Sequence, residues 1–265
     1  KPAPGRIRVT KPDNYRNQYA EVQGCTSAEQ IGDIIAIDCS NAPGGSIPHA
    51  VFIHRSSQVK LESVKLYASN VFGFFESDCR GNVYRQCVVD RRPTSTDLKK
   101  RANSRIRSLN ADAFHSKHAE VGPSYIECRA QFQGDDCVAI NGDYHMIMEA
   151  TGDELRVLAK HNFNIVKGDP VELVSYEGVR LPDATVISVE SDGRIDDQER
   201  AFLRNQRLND NLKHNRHNAL TTAFRVIIDR FVSLPMGSLI CSASRVGNGF
   251  KVIDCEFGFN RSRGI

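Results

Sequence analysis

The chain has 265 residues, of which 40% are hydrophobic and 25% charged, and its formal net charge is +3 at pH 7. This composition is typical of a globular domain and excludes a disordered chain. The mild charge does not indicate a nucleic-acid partner, because 35 basic residues are balanced by 32 acidic ones. No apolar run approaches the ~20 residues that a membrane span needs, so we expect a soluble protein.

The two ends of the sequence predict a fragment. Its first residues contain no hydrophobic signal segment, and its last residues lie in the middle of a strand pattern. We expect the whole protein to be secreted or periplasmic.

Short β-rich runs, separated by Gly, Asn, Asp and Ser, recur between residues 45 and 145. Two sets of residues occupy equivalent positions in these runs. The first set is Val64, Cys87, Cys128 and Cys255, and the second is Phe52, Phe75, Phe114 and Val138. Neighbouring members lie 23 or 24 residues apart, except across a longer excursion at residues 91–107 and across a later insertion. Such a period is typical of stacked repeats, so we predict an all-β fold, a right-handed parallel β-helix.

The cysteines of the first set alternate with valine at one position. A cysteine that replaces valine behaves as a small buried hydrophobic residue. We therefore predict reduced core thiols rather than a disulfide or a metal site, and no Cys-x-x-Cys pair favours the latter.

The excursion at residues 91–107 is strongly basic and directly precedes the run that contains Asp112. Long loops on a rigid scaffold often carry binding residues, although runs of charge are also common on solvated surfaces. Both interpretations stay open.

The pattern changes at about residue 151. Residues 163–174 and 184–190 alternate apolar and polar side chains, which predicts antiparallel strands of a small barrel, and residues 197–204 suggest a short helix. We predict three segments: the first part of the β-helix at residues 1–150, an inserted barrel-like domain at 151–235, and the resumed β-helix at 236–265.

Three aspartates are the main candidates for chemistry. Asp112 lies 23 residues before Asp135 and 24 before Asp136, so one turn of the β-helix separates them. Neighbouring strands lie about 4.8 Å apart, which predicts a cluster of carboxylates. Consecutive strand residues point to opposite faces, so the adjacent pair shares a cleft only if the backbone bends, and Gly134 makes that bend plausible.

Carboxylates this close raise one another's proton affinity, which favours one protonated acid beside ionised bases. That state suits glycoside hydrolysis, in which an acid protonates the leaving oxygen and a base activates water. No serine or cysteine triad lies nearby. Aspartates that shape turns and a calcium site are the alternatives.

Residues 110–115 and 132–142 together resemble the active-site signature of β-helical inverting glycosidases. The spacing of the aspartates, the barrel-like insertion and the final residues 260–265 are similar to the α-1,3-galactosidases of glycoside hydrolase family 110. The resemblance to the polygalacturonases of family 28 is more distant, because their Gly-His-Gly and Arg-Ile-Lys motifs are missing. The resemblance implies that Asp135 is the general acid and that Asp112 and Asp136 position and deprotonate water.

Four further residues are candidates for substrate binding: His115, His145, Arg261 and Arg263. We expect an inverting exo-glycosidase that acts on terminal α-linked galactose in an oligosaccharide or polysaccharide. No cofactor and no metal are expected, and nucleic acid is not expected as a partner. A polygalacturonase-like hydrolase, a calcium-dependent polysaccharide lyase and a non-catalytic glycan-binding β-helix are the alternatives.

Overall fold

The computed structural model describes residues 49–92, 105–160, 163–205 and 222–265, all of which belong to the compact unit Asp38–Ile265. The described part is built mainly from strands with one short helix, so the all-β prediction is confirmed. Its sheets are both parallel and antiparallel. No helix in these ranges is long and apolar enough to cross a membrane.

Parallel strands form three four-stranded sheets. Sheet 1 contains β1 (Val51–His54), β4 (Phe74–Ser77), β7 (Phe114–Lys117) and β10 (Val138–Asn141). Sheet 2 contains β2 (Lys60–Glu62), β5 (Val83–Arg85), β8 (Ser124–Ile126) and β17 (Lys251–Ile253). Sheet 3 contains β3 (Lys65–Leu66), β6 (Val88–Val89), β9 (Arg129–Gln131) and β18 (Glu256–Gly258). The chain visits sheets 1, 2 and 3 in this order four times, so each circuit stacks on the one before it.

The strand pairing tests both predicted registers. In sheet 3 each member of the first set directly precedes a paired residue, so the predicted valine and cysteine column is confirmed. The register predicted from the second set is wrong by one residue, and only at the step from Phe75 to Phe114. Phe75 pairs with His115, whereas Phe114 pairs with Phe74. Because side chains alternate along a strand, Phe114 faces the core and His115 faces outward.

One core cluster contains side chains from all three sheets. Phe74 stacks on Phe114 at 5.0 Å between ring centroids, and Tyr84 stacks on Tyr125 at 5.3 Å. Burying each such side chain contributes about 1.5–3 kcal/mol. The six cysteines of the described residues are free thiols, as predicted, and all but Cys255 are buried.

A carboxylate also lies in this interior. Glu76 is 1% exposed and accepts hydrogen bonds from the Asn82 amide (2.9 Å), the Tyr84 hydroxyl (2.8 Å) and the Ser116 hydroxyl (2.6 Å). Three donors satisfy a group whose burial alone would be costly. They come from two circuits, so the carboxylate ties these circuits together.

Every circuit bends in the same way between sheets 2 and 3. The bend residues have a left-handed backbone although none of them is glycine: Ser63, Gln86, Glu127 and Asp254. The left-handed conformation costs roughly 1–2 kcal/mol for an L-residue. The N–H of each of the first three donates to a carbonyl of the next circuit, which holds the bend in place.

Antiparallel strands form a closed barrel between β10 and β17. Its strands are β11 (His145–Thr151), β12 (Glu154–Leu158), β13 (Pro170–Val174), β14 (Ala184–Arg194), β15 (Thr222–Ile228) and β16 (Ser238–Ser242), and α1 (Asp197–Asn205) follows β14. The strands extend past both predicted limits of the insertion, residues 151 and 235. The first four residues of β11 are all buried, so no alternation marks where the barrel begins.

Candidate active site

The three aspartates occupy turns that lead into sheet 1. Asp112 lies two residues before β7, and Asp136 lies two residues before β10 on the next circuit. The Ala113 N–H donates to the Asp136 carbonyl at 3.0 Å, and the Asp136 N–H lies 3.3 Å from Asp112 Oδ1. One carboxylate oxygen from each of Asp112, Asp135 and Asp136 lies within 4.8 Å of the other two. The structure therefore brings the trio together.

Gly134 explains how the adjacent pair reaches one cleft. Asp135 and Asp136 lie in the turn before β10, so strand alternation does not separate their side chains. The Gly134 N–H donates to the Leu109 carbonyl at 2.9 Å. A Cβ at residue 134 would lie 2.4 Å from the Asn110 carbonyl oxygen, a distance that real Cβ atoms essentially never show. Glycine is required here for the close approach of two turns.

The last described segment closes the cluster from the next circuit. Arg263 occupies the position that Asp112 and Asp136 have on their circuits, because the Cys137 N–H donates to the Arg263 carbonyl at 3.0 Å. The Arg263 N–H donates to Asp136 Oδ1 at 2.8 Å, and its exposed guanidinium lies 3.5 Å from Oδ2. The Asn260 amide donates to the carbonyls of Asp135 (3.2 Å) and Arg263 (2.7 Å).

His115 contacts the cluster through Asp112. Its Nδ1 lies 2.6 Å from Asp112 Oδ2, and its Nε2 lies 3.5 Å from the Asn141 amide nitrogen. The ring also stacks on Phe72 at 4.4 Å between centroids. These three contacts fix the imidazole, which in turn orients the Asp112 carboxylate. His115 is thus a partner of an aspartate, and its predicted contact with substrate stays a prediction.

The remaining predicted residues differ in their placement. Arg261 is exposed, and its charge acts on Asp135. His145, on β11, is fully buried: its Nε2 lies 3.1 Å from Asn164 Oδ1, and its Nδ1 accepts the Lys160 N–H at 3.0 Å. Neither ring nitrogen is left for a sugar hydroxyl, which corrects the substrate-binding role predicted for His145. Burial lowers the pKa of its imidazole to about 4, so the ring is neutral at pH 7.

The environments of Asp135 and Asp136 push their pKa values in opposite directions. Desolvation and the charges of Asp112 and Asp136 raise the pKa of Asp135, against the smaller effects of Ser262 and Arg261. Desolvation also opposes ionisation of Asp136. However, the Arg263 N–H, the Ser262 side chain and the Arg263 charge together lower the pKa of Asp136 below its usual value. A carboxyl group with a raised pKa beside one with a lowered pKa is the arrangement of a general acid and a general base.

Several side chains at the cluster are not among the predicted site residues. They are Phe72 and Asn141, which hold His115, and Asn260 and Ser262, which hold the turn and the carboxylates of the aspartate pair. Asn141 lies within the signature at residues 132–142, but the 24-residue period pairs it with Lys117, and its contact with His115 is a diagonal one across 26 residues. Asn260 contacts Asp135 across 125 residues of sequence, so no local pattern predicts that contact.

A cleft and basic side chains lie beside the three aspartates. A cleft of about 290 Å³ beside the cluster is lined by Asp136, Arg263, Asn141 and apolar side chains that include Phe250. The excursion at residues 91–107 lies largely outside the described residues, but its ends approach the same region. Arg91 lies over the Phe132 ring at 3.6 Å, and the Arg107 guanidinium lies 3.2 Å from the Cβ position of residue 134.

The trio is also a group whose oxygens could hold a metal ion, and no other such group is found in the ranges that the structure describes. Hard cations such as calcium prefer carboxylate oxygens. The chemistry of the donors therefore fits either proton transfer or cation binding.

The sequence matches no protein-family model, and no curated protein matches it significantly.

Proposed function

We propose that the chain is an inverting exo-glycoside hydrolase that cleaves terminal α-linked galactose, similar in type to the α-1,3-galactosidases of family 110. One observation carries the proposal: the adjacent Asp135 and Asp136 share a cluster with Asp112, and the pKa of Asp135 is raised while that of Asp136 is lowered. Glycoside hydrolysis needs one protonated and one ionised carboxyl group that flank the scissile bond. The choice of galactose rests on the sequence resemblance.

The fold proposed for this enzyme is a right-handed parallel β-helix with an inserted antiparallel barrel. Three parallel sheets visited in a constant order support the helix, and parallel crossovers are right-handed in nearly all proteins. The closed barrel between β10 and β17 supports the insertion.

In the proposed reaction Asp135 donates its proton to the glycosidic oxygen as the bond from this oxygen to the anomeric carbon breaks. A water held by Asp112 and Asp136 attacks that carbon and gives its proton to Asp136. Regeneration requires only that the proton return to Asp135 through solvent. His115 keeps Asp112 Oδ2 in place at 2.6 Å, and the water would bind Oδ1, which also accepts the Asp136 N–H at 3.3 Å. In this proposal Arg261 and Arg263 bind sugar hydroxyls; both are exposed, and their charges act on Asp135 and Asp136.

The separation of the carboxylates bears on stereochemistry. Their nearest oxygens lie within 4.8 Å, which is shorter than the ~6.5–9.5 Å usual for inverting enzymes and close to the ~5 Å of retaining ones. Inversion is proposed because three carboxylates are present, so that two can share a water while the third faces the leaving oxygen. A retained anomer would instead make Asp136 a nucleophile.

The test is hydrolysis of oligosaccharides that end in α-linked galactose, with the anomer of the released sugar read by NMR. We expect an inverted product and a loss of roughly 10²–10⁴-fold in kcat for Asp135→Asn, the range for general acid catalysis. Asp254→Asn is the matched control, since Asp254 is exposed and lies in a turn between sheets 2 and 3. Wild-type rates for Asp135→Asn would refute the assignment.

The compact trio also favours a second candidate, a calcium-dependent polysaccharide lyase. Three carboxylate oxygens within 4.8 Å suit a cation that takes roughly six to eight oxygen ligands. A lyase would release an unsaturated product that absorbs ultraviolet light, and a chelator would abolish its formation. A saturated product formed equally well in chelator would exclude the lyase.

A further inference from the structure

A strip of aromatic rings lies beside the aspartates on the outer face of sheet 1. We name this the aromatic strip, and its members are His49, Phe52, Phe72, Phe75 and His115. The strand pairing places Phe52, Phe75 and His115 in one outward column. The neighbouring column contains Phe72 and then Asp112, because the register that pairs Phe74 with Phe114 continues backwards: the Gly73 N–H donates to the Asp112 carbonyl at 2.9 Å. The second column is thus aromatic at His49 and Phe72 and acidic at Asp112, whereas the rings of the first column end at His115, which pairs with Ala139.

The rings form one contiguous layer. Phe52 stacks on Phe75 at 5.1 Å between centroids with the planes 12° apart, and His49 stacks on Phe72 at 5.0 Å with the planes 3° apart. His115 joins both pairs, since it stacks on Phe72 at 4.4 Å and meets the Phe75 ring edge-on at 5.4 Å. The strands beneath are held by parallel backbone pairing, so the layer is fixed before any ligand arrives.

Part of the apolar surface of the aromatic strip is exposed to solvent. Phe52 is 55% exposed on an outward sheet position, while the other rings are partly buried against one another. Contiguous exposed aromatic surface on a rigid element often marks a binding site. Binding sites for small polar molecules commonly combine an apolar wall with a few fixed polar groups.

The strip is continuous with the proposed active site, because His115 belongs to both. Its ring is part of the aromatic layer, and its Nδ1 contacts Asp112. Phe52 lies two circuits before His115, which at about 4.8 Å per circuit is ~10 Å along the stack. A pyranose ring has an apolar C–H face and a rim of hydroxyls, so it matches an apolar layer that ends in carboxylates.

We propose that the aromatic strip binds a further pyranose ring of the oligosaccharide whose glycosidic bond lies at the aspartates. The proposal rests on the proposed function and extends it, since it makes an oligosaccharide rather than a simple galactoside the preferred substrate. Polar contacts at the trio would fix the orientation of the reacting sugar, and apolar contact with Phe52 and Phe75 would add affinity for the next one.

The test compares two variants by glycan-array binding and by hydrolysis of an α-galactose-terminated trisaccharide and of an aryl α-galactoside. Phe52→Ser removes exposed ring surface from the strip, and Phe231→Ser is the control, because Phe231 is 82% exposed and follows the barrel strand β15. We expect Phe52→Ser to weaken binding and raise KM for the trisaccharide roughly two- to tenfold, the range for one aromatic contact. Its KM for the aryl galactoside and its urea unfolding midpoint should equal those of the wild type.

The outcomes separate the two proposals. Glycan binding that depends on Phe52, without hydrolysis of any substrate, would sink the proposed function and leave the strip as a binding site. Hydrolysis with equal KM values for Phe52→Ser and the wild type on both substrates would overturn the strip alone. A lowered unfolding midpoint with unchanged affinity would also overturn it, since the ring would then support the fold.

Discussion

Replacing Gly134 with alanine tests how the aspartate pair is positioned. The added Cβ would lie 2.4 Å from the Asn110 carbonyl oxygen and 3.0 Å from its carbon, and contacts under 3.0 Å essentially never occur. The turns of the two circuits must therefore separate by about 0.6 Å. Such overpacking costs roughly 1–3 kcal/mol of unfolding free energy, measurable by urea denaturation. Because a 1 Å displacement in an active site can cost about 10²-fold, we expect kcat to fall at least ~10-fold.

Gly258→Ala provides the matched control. Gly258 lies on β18, and a Cβ there would meet no atom within 4 Å. Neither glycine has the positive φ that would make alanine strained for another reason. If Gly134→Ala and Gly258→Ala both unfold at the wild-type urea concentration and show the wild-type rate, the close approach at residue 134 does not position the pair.

Three more outcomes follow from the ionisable groups. The rate of hydrolysis should have a bell-shaped pH profile. At low pH the rate falls as Asp136 is protonated, with a pKa below the usual value, and at higher pH it falls as Asp135 ionises, with a pKa above the usual value. A rate independent of pH from 3 to 8 would contradict these roles. Burial opposes ionisation of Asp143, but the hydrogen bond from His118 and the nearby lysines hold its pKa well below the usual range. The stability it contributes is therefore complete above the unfolded pKa of about 3.9 and is lost as pH falls towards the folded value. Asp143→Asn should cost about 3–5 kcal/mol at pH 7 and less at pH 3 in urea unfolding, and an equal cost at both would argue against the ion pair. Glu76→Leu should cost at least ~2 kcal/mol, since it leaves three buried donors without an acceptor; an unchanged unfolding midpoint would refute that network.

The sequence predicts the parts of this fold that depend on a regular period. The column of Val64, Cys87 and Cys128 could be found because small apolar residues recur where the interior demands them. The step from Phe75 to Phe114 is ambiguous by one residue, because the adjacent Phe74 and Phe75 compete for one position and the excursion leaves no fixed spacing to decide between them. Backbone pairing resolves the choice by placing Phe114 inside and His115 outside.

In the candidate site, too, only the contacts that depend on the regular period could be predicted from the sequence. The juxtaposition of Asp112 with the aspartate pair follows from the 24-residue period. The burial of His145 does not, because Asn164 and Lys160 reach it through the pairing of barrel strands. Likewise, Asn260 and Ser262 become neighbours of the aspartates only when the chain returns from the barrel to the stack.

The stacking of circuits has a consequence for how such a site can change. The distance between Asp112 and the aspartate pair is set by backbone hydrogen bonds between the layers of β7 and β10. The excess of residues before β7 leaves the pairing of β7 with β4 intact. The stacked strands thus fix the distances between the three carboxylates, while the connections between circuits can lengthen. In the proposed glycosidase, longer connections would change the sugar specificity without changing the spacing of the carboxylates.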